Sequence, residues 1–187
     1  MGRTRAKYLA FALGLAIVGA FLCGCQAFGG DPAGGQGASF ETASVRYVVD
    51  GDTVDVLVAG EERRVRLIGI DCPESASHDE SENTPEGEEA AAFTRSILPE
   101  GKVVYLQRDK TERDKYGRHL YYVWLEEPSD PRNGDEVLSR MLNARIVAAG
   151  YAQAKRYPPD TAYAEILEAA QQQAVEGGLG ISRLWKV

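Results

Sequence analysis

From Ser44 to Asp71 the chain runs through three short apolar stretches rich in β-branched residues. Asp50-Gly51-Asp52 and Ala59-Gly60-Glu61-Glu62 separate them, and both are turn chemistry. The pattern predicts a three-stranded meander. In the third stretch Val65, Leu67 and Gly69 point one way, and Arg66, Ile68 and Ile70 the other. That strand carries an arginine near its middle and ends in Asp71, Cys72, Pro73 and Glu74, which burial of apolar residues does not require.

The segment 75–89 is polar and acidic, as a loop would be. A helix is expected over Glu86 to Leu98, with Ala90, Phe93, Ile97 and Leu98 at helical spacing and Pro99 as its stop. Residues 102–109 and 119–127 read as a fourth and a fifth strand around the turn Asp114 to Arg118. A second helix is expected over Glu136 to Ala149, ending at Gly150. A third is expected over Thr161 to Val175, with Asp160 as its N-cap. Five strands with a helix after the third suit an α+β fold that is mainly β, a five-stranded OB-type Greek-key barrel with three helices. The hairpins should draw the turns at Asp50–Asp52, Asp71–Glu74 and Asp114–Arg118 toward one region.

The first 25 residues stand apart. Arg3, Arg5 and Lys7 precede an uncharged apolar run from Tyr8 to Leu22, short for a membrane span and suited to a signal peptide. Its end, Leu22-Cys23-Gly24-Cys25, resembles the lipobox of bacterial lipoproteins. That resemblance implies a signal peptide over 1–24, a lipidated Cys25 holding the protein to a membrane, and a Gly-rich tether over 25–42. The folded domain then spans 43–187. An ordinary secretory peptide or an uncleaved anchor is the alternative. Either way the expected location is extracytoplasmic. With Cys23 and Cys25 in the leader, Cys72 has no partner and no structural disulfide is expected.

The chain of 187 residues has a net charge of −7. Loss of the leader removes three basic residues and no acids, which makes the remainder more acidic still. Such a surface weakens long-range attraction to polyanions.

Asp50, Asp52, Asp71 and Glu74 place four carboxylates at two turns, where they repel unless a cation sits among them. An all-oxygen set favours a hard ion, calcium or magnesium, with Cys72 offering its backbone carbonyl. Arg66 and Arg118 lie on or beside strands, and paired arginines near a metal suit a phosphate and the added charge of its transition state. Glu74 could accept a proton from an attacking water. A plain hairpin turn at Asp50–Asp52 and a simple salt bridge at Arg66 are the bland alternatives. His119 reads as an exposed strand residue, and Trp124 and Trp185 as packing groups.

The segments VDGDTVDV, RLIGIDCPES and DKYGR, in that order, resemble the staphylococcal nuclease (thermonuclease) family over roughly Ser44 to Trp185. The resemblance implies hydrolysis of DNA or RNA phosphodiesters with one calcium ion, cutting the bond to the 5′ oxygen and leaving 3′-phosphates. It implies calcium carboxylates at Asp52 and Asp71, and the Cys72 carbonyl as a further ligand where the best-known member has threonine. Glu74 matches the general base, Arg66 and Arg118 the phosphate-binding arginines, and Asp50 and Thr53 the residues that steady the ligands. Lys115 and Tyr116 match residues that contact a nucleotide phosphate, and Tyr157 roughly matches a tyrosine that packs on the base. A monomer is expected. The alternative from another class is a non-catalytic OB-fold lipoprotein that binds nucleic acid or protein.

Overall fold

The computed structural model describes residues 39–76 and 80–185. The expected signal peptide, Cys25 and the tether as far as residue 38 lie outside the described residues. The predicted meander is present. Strands β1 (Phe40–Asp50), β2 (Thr53–Val58) and β3 (Glu61–Leu67) pair antiparallel in sequence. Ala59 at φ 51° and Gly60 at φ 86° make the second turn. Beyond a two-residue strand β4 (Ile70–Asp71) come β5 (Val103–Gln107) and β6 (His119–Trp124). The barrel closes in the order β1-β2-β3-β6-β5, with β3 and β6 parallel and the other pairs antiparallel. Its core holds Val45, Val54, Val56, Val65, Leu67, Val104, Leu106 and Val123, all buried.

Three boundaries differ from the sequence expectation. Strand β1 starts at Phe40, inside the range read as tether, because Phe40, Glu41 and Thr42 pair with Gln107, Leu106 and Tyr105. The third stretch does not run on as one strand. It turns at Gly69, where φ is +80°, and β4 then pairs with β7 (Gln153–Ala154) instead of continuing in the barrel. Ile68 and Ile70 are therefore both buried, and the alternation fails after Leu67.

The third difference is four α-helices among the described residues where three were expected. They are α1 (Pro85–Ile97), α2 (Gly134–Arg140), α3 (Leu142–Ala148) and α4 (Ala164–Glu176). The second expected helix breaks at Met141, whose ψ of 124° is extended. Barrel contacts cause the break: Met141 bridges Trp124, and the Leu125 N–H donates to the Arg140 carbonyl at 2.8 Å. Buried Asn143 on α3 then pins the helix to the barrel. It accepts from the Val123 N–H at 3.0 Å and donates to the Ile68 carbonyl at 2.8 Å. Removing that amide would orphan two buried backbone groups at about 1–3 kcal/mol each.

Candidate active site

The β1–β2 turn is pressed into the protein. A Cβ at Gly51 would lie 2.7 Å from the Cys72 sulfur, and the Gly51 carbonyl accepts from the Thr94 hydroxyl of α1 at 2.8 Å. Asp50 and Asp52 are consequently buried. Asp52 Oδ2 accepts from the Cys72 N–H at 2.9 Å, and its Oδ1 from the Thr53 hydroxyl at 3.0 Å. Burial pushes the Asp52 carboxyl up, against the lowering effect of Arg66 and the Cys72 N–H. Asp50 Oδ1 accepts from the Gly51 N–H at 2.8 Å and the Ser75 hydroxyl at 2.6 Å.

Glu74 itself is exposed, on a largely half-buried segment held by α1. The Thr84 N–H donates to the Glu74 carbonyl at 2.9 Å. Desolvation, then a hydrogen bond with Asp50 and the charges of Asp50 and Asp52, raise the Glu74 carboxyl above the usual carboxylate range.

Arg66 makes four contacts. Its Nη1 donates to the carbonyls of Leu67 at 2.8 Å and Ile70 at 2.9 Å, closing the turn between β3 and β4. Its Nη2 lies 3.0 Å from Asp52 Oδ2 and 2.9 Å from Asp71 Oδ1. Asp71 also meets Lys155, whose Nζ lies 3.0 Å from Oδ2. Arg118 enters from the turn before β6, where its Nε donates to Asp114 Oδ2 at 2.7 Å. The N–H groups of Tyr116 and Arg118 both donate to Asp114 Oδ1 at 2.9 Å. Gly117, at φ +82°, permits that turn.

Two cavities share this wall. One of about 270 Å³ is lined by Asp50, Asp52, Thr53, Asp71, Cys72 and Glu74. The other, about 410 Å³, is lined by Lys115, Tyr116, Leu120, Tyr157 and Asp160. Arg66, Asp71 and Arg118 line both. Turns far apart along the chain thus meet in one place, as the hairpins led one to expect. Tyr116 and Tyr157 are the exposed rings at the rim, with Lys115 Nζ 4.9 Å from the first ring centre and Lys155 Nζ 5.7 Å from the second.

The donor set around Asp52 and Asp71 is oxygen only, which suits a hard cation. The Cys72 thiol is unsuited to be a ligand: desolvation, with Asp52 next, pushes it well above its ordinary value. Arg66 and Lys155 meet the carboxylates here, and among the described residues no cage of three or more His, Cys, Asp or Glu side chains is formed.

Three residues at this site have roles the sequence did not reveal. Asp114 orients Arg118; an Asp three places before a turn glycine is the signal that marks it. Asp160 is not the N-cap of α4, which begins after Tyr163. It accepts instead from the N–H groups of Lys110 and Thr111 at 2.8 Å, tying the β5–β6 loop to the segment carrying Tyr157. Lys155 carries no sequence signal, because the β4–β7 pairing that delivers it is two residues long.

Comparisons with known proteins agree with this convergence. The family described as "Staphylococcal nuclease homologue" matches residues 64–186. The chain is 39% identical to a thermonuclease of Staphylococcus intermedius over 141 residues, 75% of this chain and 76% of that protein. It is 40% identical to a thermonuclease of Staphylococcus hyicus over 142 residues, 76% of each. It is also 31% identical to the endonuclease YncB of Bacillus subtilis, over 71% of this chain and 57% of that protein. With the motif residues gathered on one wall and identity extending over three quarters of the chain, this protein belongs to the staphylococcal nuclease family.

Proposed function

We propose that this nuclease hydrolyses phosphodiesters of DNA, RNA or both with one calcium ion, cutting the bond to the 5′ oxygen and leaving 3′-phosphates. The observation that carries the reading is the shared wall: Arg66, Asp71 and Arg118 border both the acidic cavity and the larger aromatic-rimmed one. A phosphate there would meet the two guanidinium groups that line this wall, whose positive charges offset charge on the five-coordinate phosphorus. Glu74 takes a proton from the attacking water or orients it. Calcium, held by Asp52, Asp71 and the Cys72 carbonyl, would supply Lewis-acid charge. Asp50 and Thr53 steady those ligands. Lys115 and Tyr116 would contact the neighbouring phosphate, and Tyr157 the base. The protein acts as a monomer, on the extracytoplasmic side of a membrane that it joins through lipidated Cys25.

The non-catalytic reading has one observation in its favour, the pairing of Arg66 with both carboxylates. One experiment separates the two. Single-stranded DNA is incubated with the purified protein in calcium and in chelator, beside Glu74→Gln and Arg118→Ala. Cleavage by the unaltered protein in calcium, lost with chelator and reduced about 10²–10³-fold in Arg118→Ala, is expected. Equal cleavage in all samples rejects the mechanism. For the anchor, Cys25→Ser should release the protein from membranes, and unchanged attachment rejects Cys25.

A further inference from the structure

Asp71 is held from two sides. Arg66 takes Oδ1 at 2.9 Å, and Lys155 takes Oδ2 at 3.0 Å from the far side of the β4–β7 pair. We propose that Lys155 sets the cation affinity of this site: its ammonium is a built-in counter-ion on Asp71 that a hard cation must displace. The inference rests on the reading of Asp52 and Asp71 as cation ligands.

The two basic partners of Asp71 are not equally free to leave. Arg66 is anchored by its bonds to the Leu67 and Ile70 carbonyls, and its side chain is only 11% exposed. Lys155 has a flexible stem, a side chain 53% exposed, and no other charged partner among its described contacts. A compact ammonium on a four-carbon stem gives way at little cost, whereas a pinned guanidinium does not. A divalent ion placed against Asp71 repels an ammonium already in contact with the same carboxylate. Lys155 is therefore the group that yields, and the Tyr157 ring, 5.7 Å away, offers its face to the displaced ammonium.

Lys155 plays no part in building the strand that presents it. The β4–β7 pairing and the bond from the Lys155 N–H to the Gly69 carbonyl, 2.9 Å, are made by backbone, so any residue but proline at 155 retains them. Its neighbour Arg156 is an internal control. Arg156 carries the same charge but pairs with Glu168 on α4, at 2.5 Å, and touches no site carboxylate.

The test is isothermal titration of calcium chloride into the purified full-length protein at low ionic strength, without nucleic acid. Loss of one half-exposed ion pair predicts about two- to fivefold tighter calcium binding in Lys155→Met. Lys155→Arg should stay near the unaltered protein, and Arg156→Met should leave the affinity unchanged. The difference at Lys155→Met should shrink at high salt. A merely structural lysine would give weaker binding on removal, so equal or weaker affinity in Lys155→Met overturns the proposal. Equal tightening in Arg156→Met overturns it too, by reducing the effect to net charge. No calcium uptake by the unaltered protein would remove the proposed cofactor and this inference together; uptake with unchanged affinity in Lys155→Met removes this inference alone.

Discussion

The Arg66 guanidinium reaches past the end of its own strand to Asp71, with Nη2 2.9 Å from Oδ1. The same nitrogen stands 3.0 Å from buried Asp52, and the other terminal nitrogen closes the intervening turn. One side chain thus shapes the segment that carries the carboxylates and neutralises them. Arg66→Ala should therefore fail in two ways. Leaving Asp52 buried without its partner should cost about 3 kcal/mol of stability. Loss of the donor should lower kcat by about 10² or more. Arg66→Lys keeps the charge without the fork and should recover part of the stability with little of the activity. Urea unfolding beside steady-state kinetics checks both, and an unchanged unfolding midpoint in Arg66→Ala would sink the structural half.

Asp114 gives Arg118 its direction. Burial pushes its carboxyl up, but bonds from the Arg118 side chain and N–H, the charge of Arg118 and the Tyr116 N–H together hold it below the usual range. In Asp114→Asn an amide nitrogen would oppose the Arg118 Nε, so the guanidinium would swing free. We expect kcat/KM to fall about tenfold, less than in Arg118→Ala. A lowered folded pKa means the stability Asp114 supplies is present above its ordinary pKa of 3.8 and is lost as pH falls through the lowered value. The stability gap between the unaltered protein and Asp114→Asn should close in that acid window. Unaltered kcat/KM in the variant would show that Arg118 needs no such guide.

Much of this arrangement was legible because it is local. Alternation and turn chemistry over Ser44 to Leu67 fix the meander, and acids at two turn mouths with Arg66 between them point to one region. What escaped was decided by distant backbone. The apolar spacing of Val137, Met141 and Leu142 reads as one helix, but Trp124 and Leu125 draw Met141 into an extended bridge. Asp160 has the chemistry of a cap, yet two N–H groups fifty residues earlier claim it. Lys155 reaches Asp71 only through the short β4–β7 pairing, which no periodicity announces.

The sequence predicts an exposed strand histidine at His119, but its side chain is buried, with its Nδ1 lacking a hydrogen-bond partner. It lies in the barrel wall near a network in which Arg63 and Tyr121 meet Glu41, with Arg108 over the Tyr121 ring. Burial, then Arg113, Arg63 and Arg108, lower its pKa below 6.5, against a small opposing effect of Glu112. Between the lowered value and 6.5 the unfolded chain binds more protons than the folded one. Stability should therefore be full above about pH 6.5 and fall as pH drops through that window. His119→Asn should flatten this part of the profile in urea titrations across pH. An equal slope in the variant would exclude His119 as its source.

Gly87 joins α1 to the acidic cavity more closely than any side chain could. A Cβ built there would lie 2.1 Å from the Glu74 carbonyl oxygen, a backbone atom that cannot rotate away. That carbonyl already accepts from the Thr84 N–H at 2.9 Å and the Thr84 hydroxyl at 3.3 Å, so the start of α1 and the Glu74 segment are in close contact. Gly87→Ala should push them apart at about 1–3 kcal/mol of stability. Because Glu74 rides on the displaced segment, kcat should fall as well, although the new methyl touches no substrate. Gly134, at the start of α2, is the comparison: a Cβ there meets nothing within 4 Å. Gly134→Ala should be neutral or gain a few tenths to about 1 kcal/mol from reduced freedom of the unfolded chain, with kcat unchanged. Thermal unfolding and kinetics of the pair separate contact from propensity. If Gly87→Ala behaved like Gly134→Ala in both, the position of Glu74 would not depend on its contact with α1.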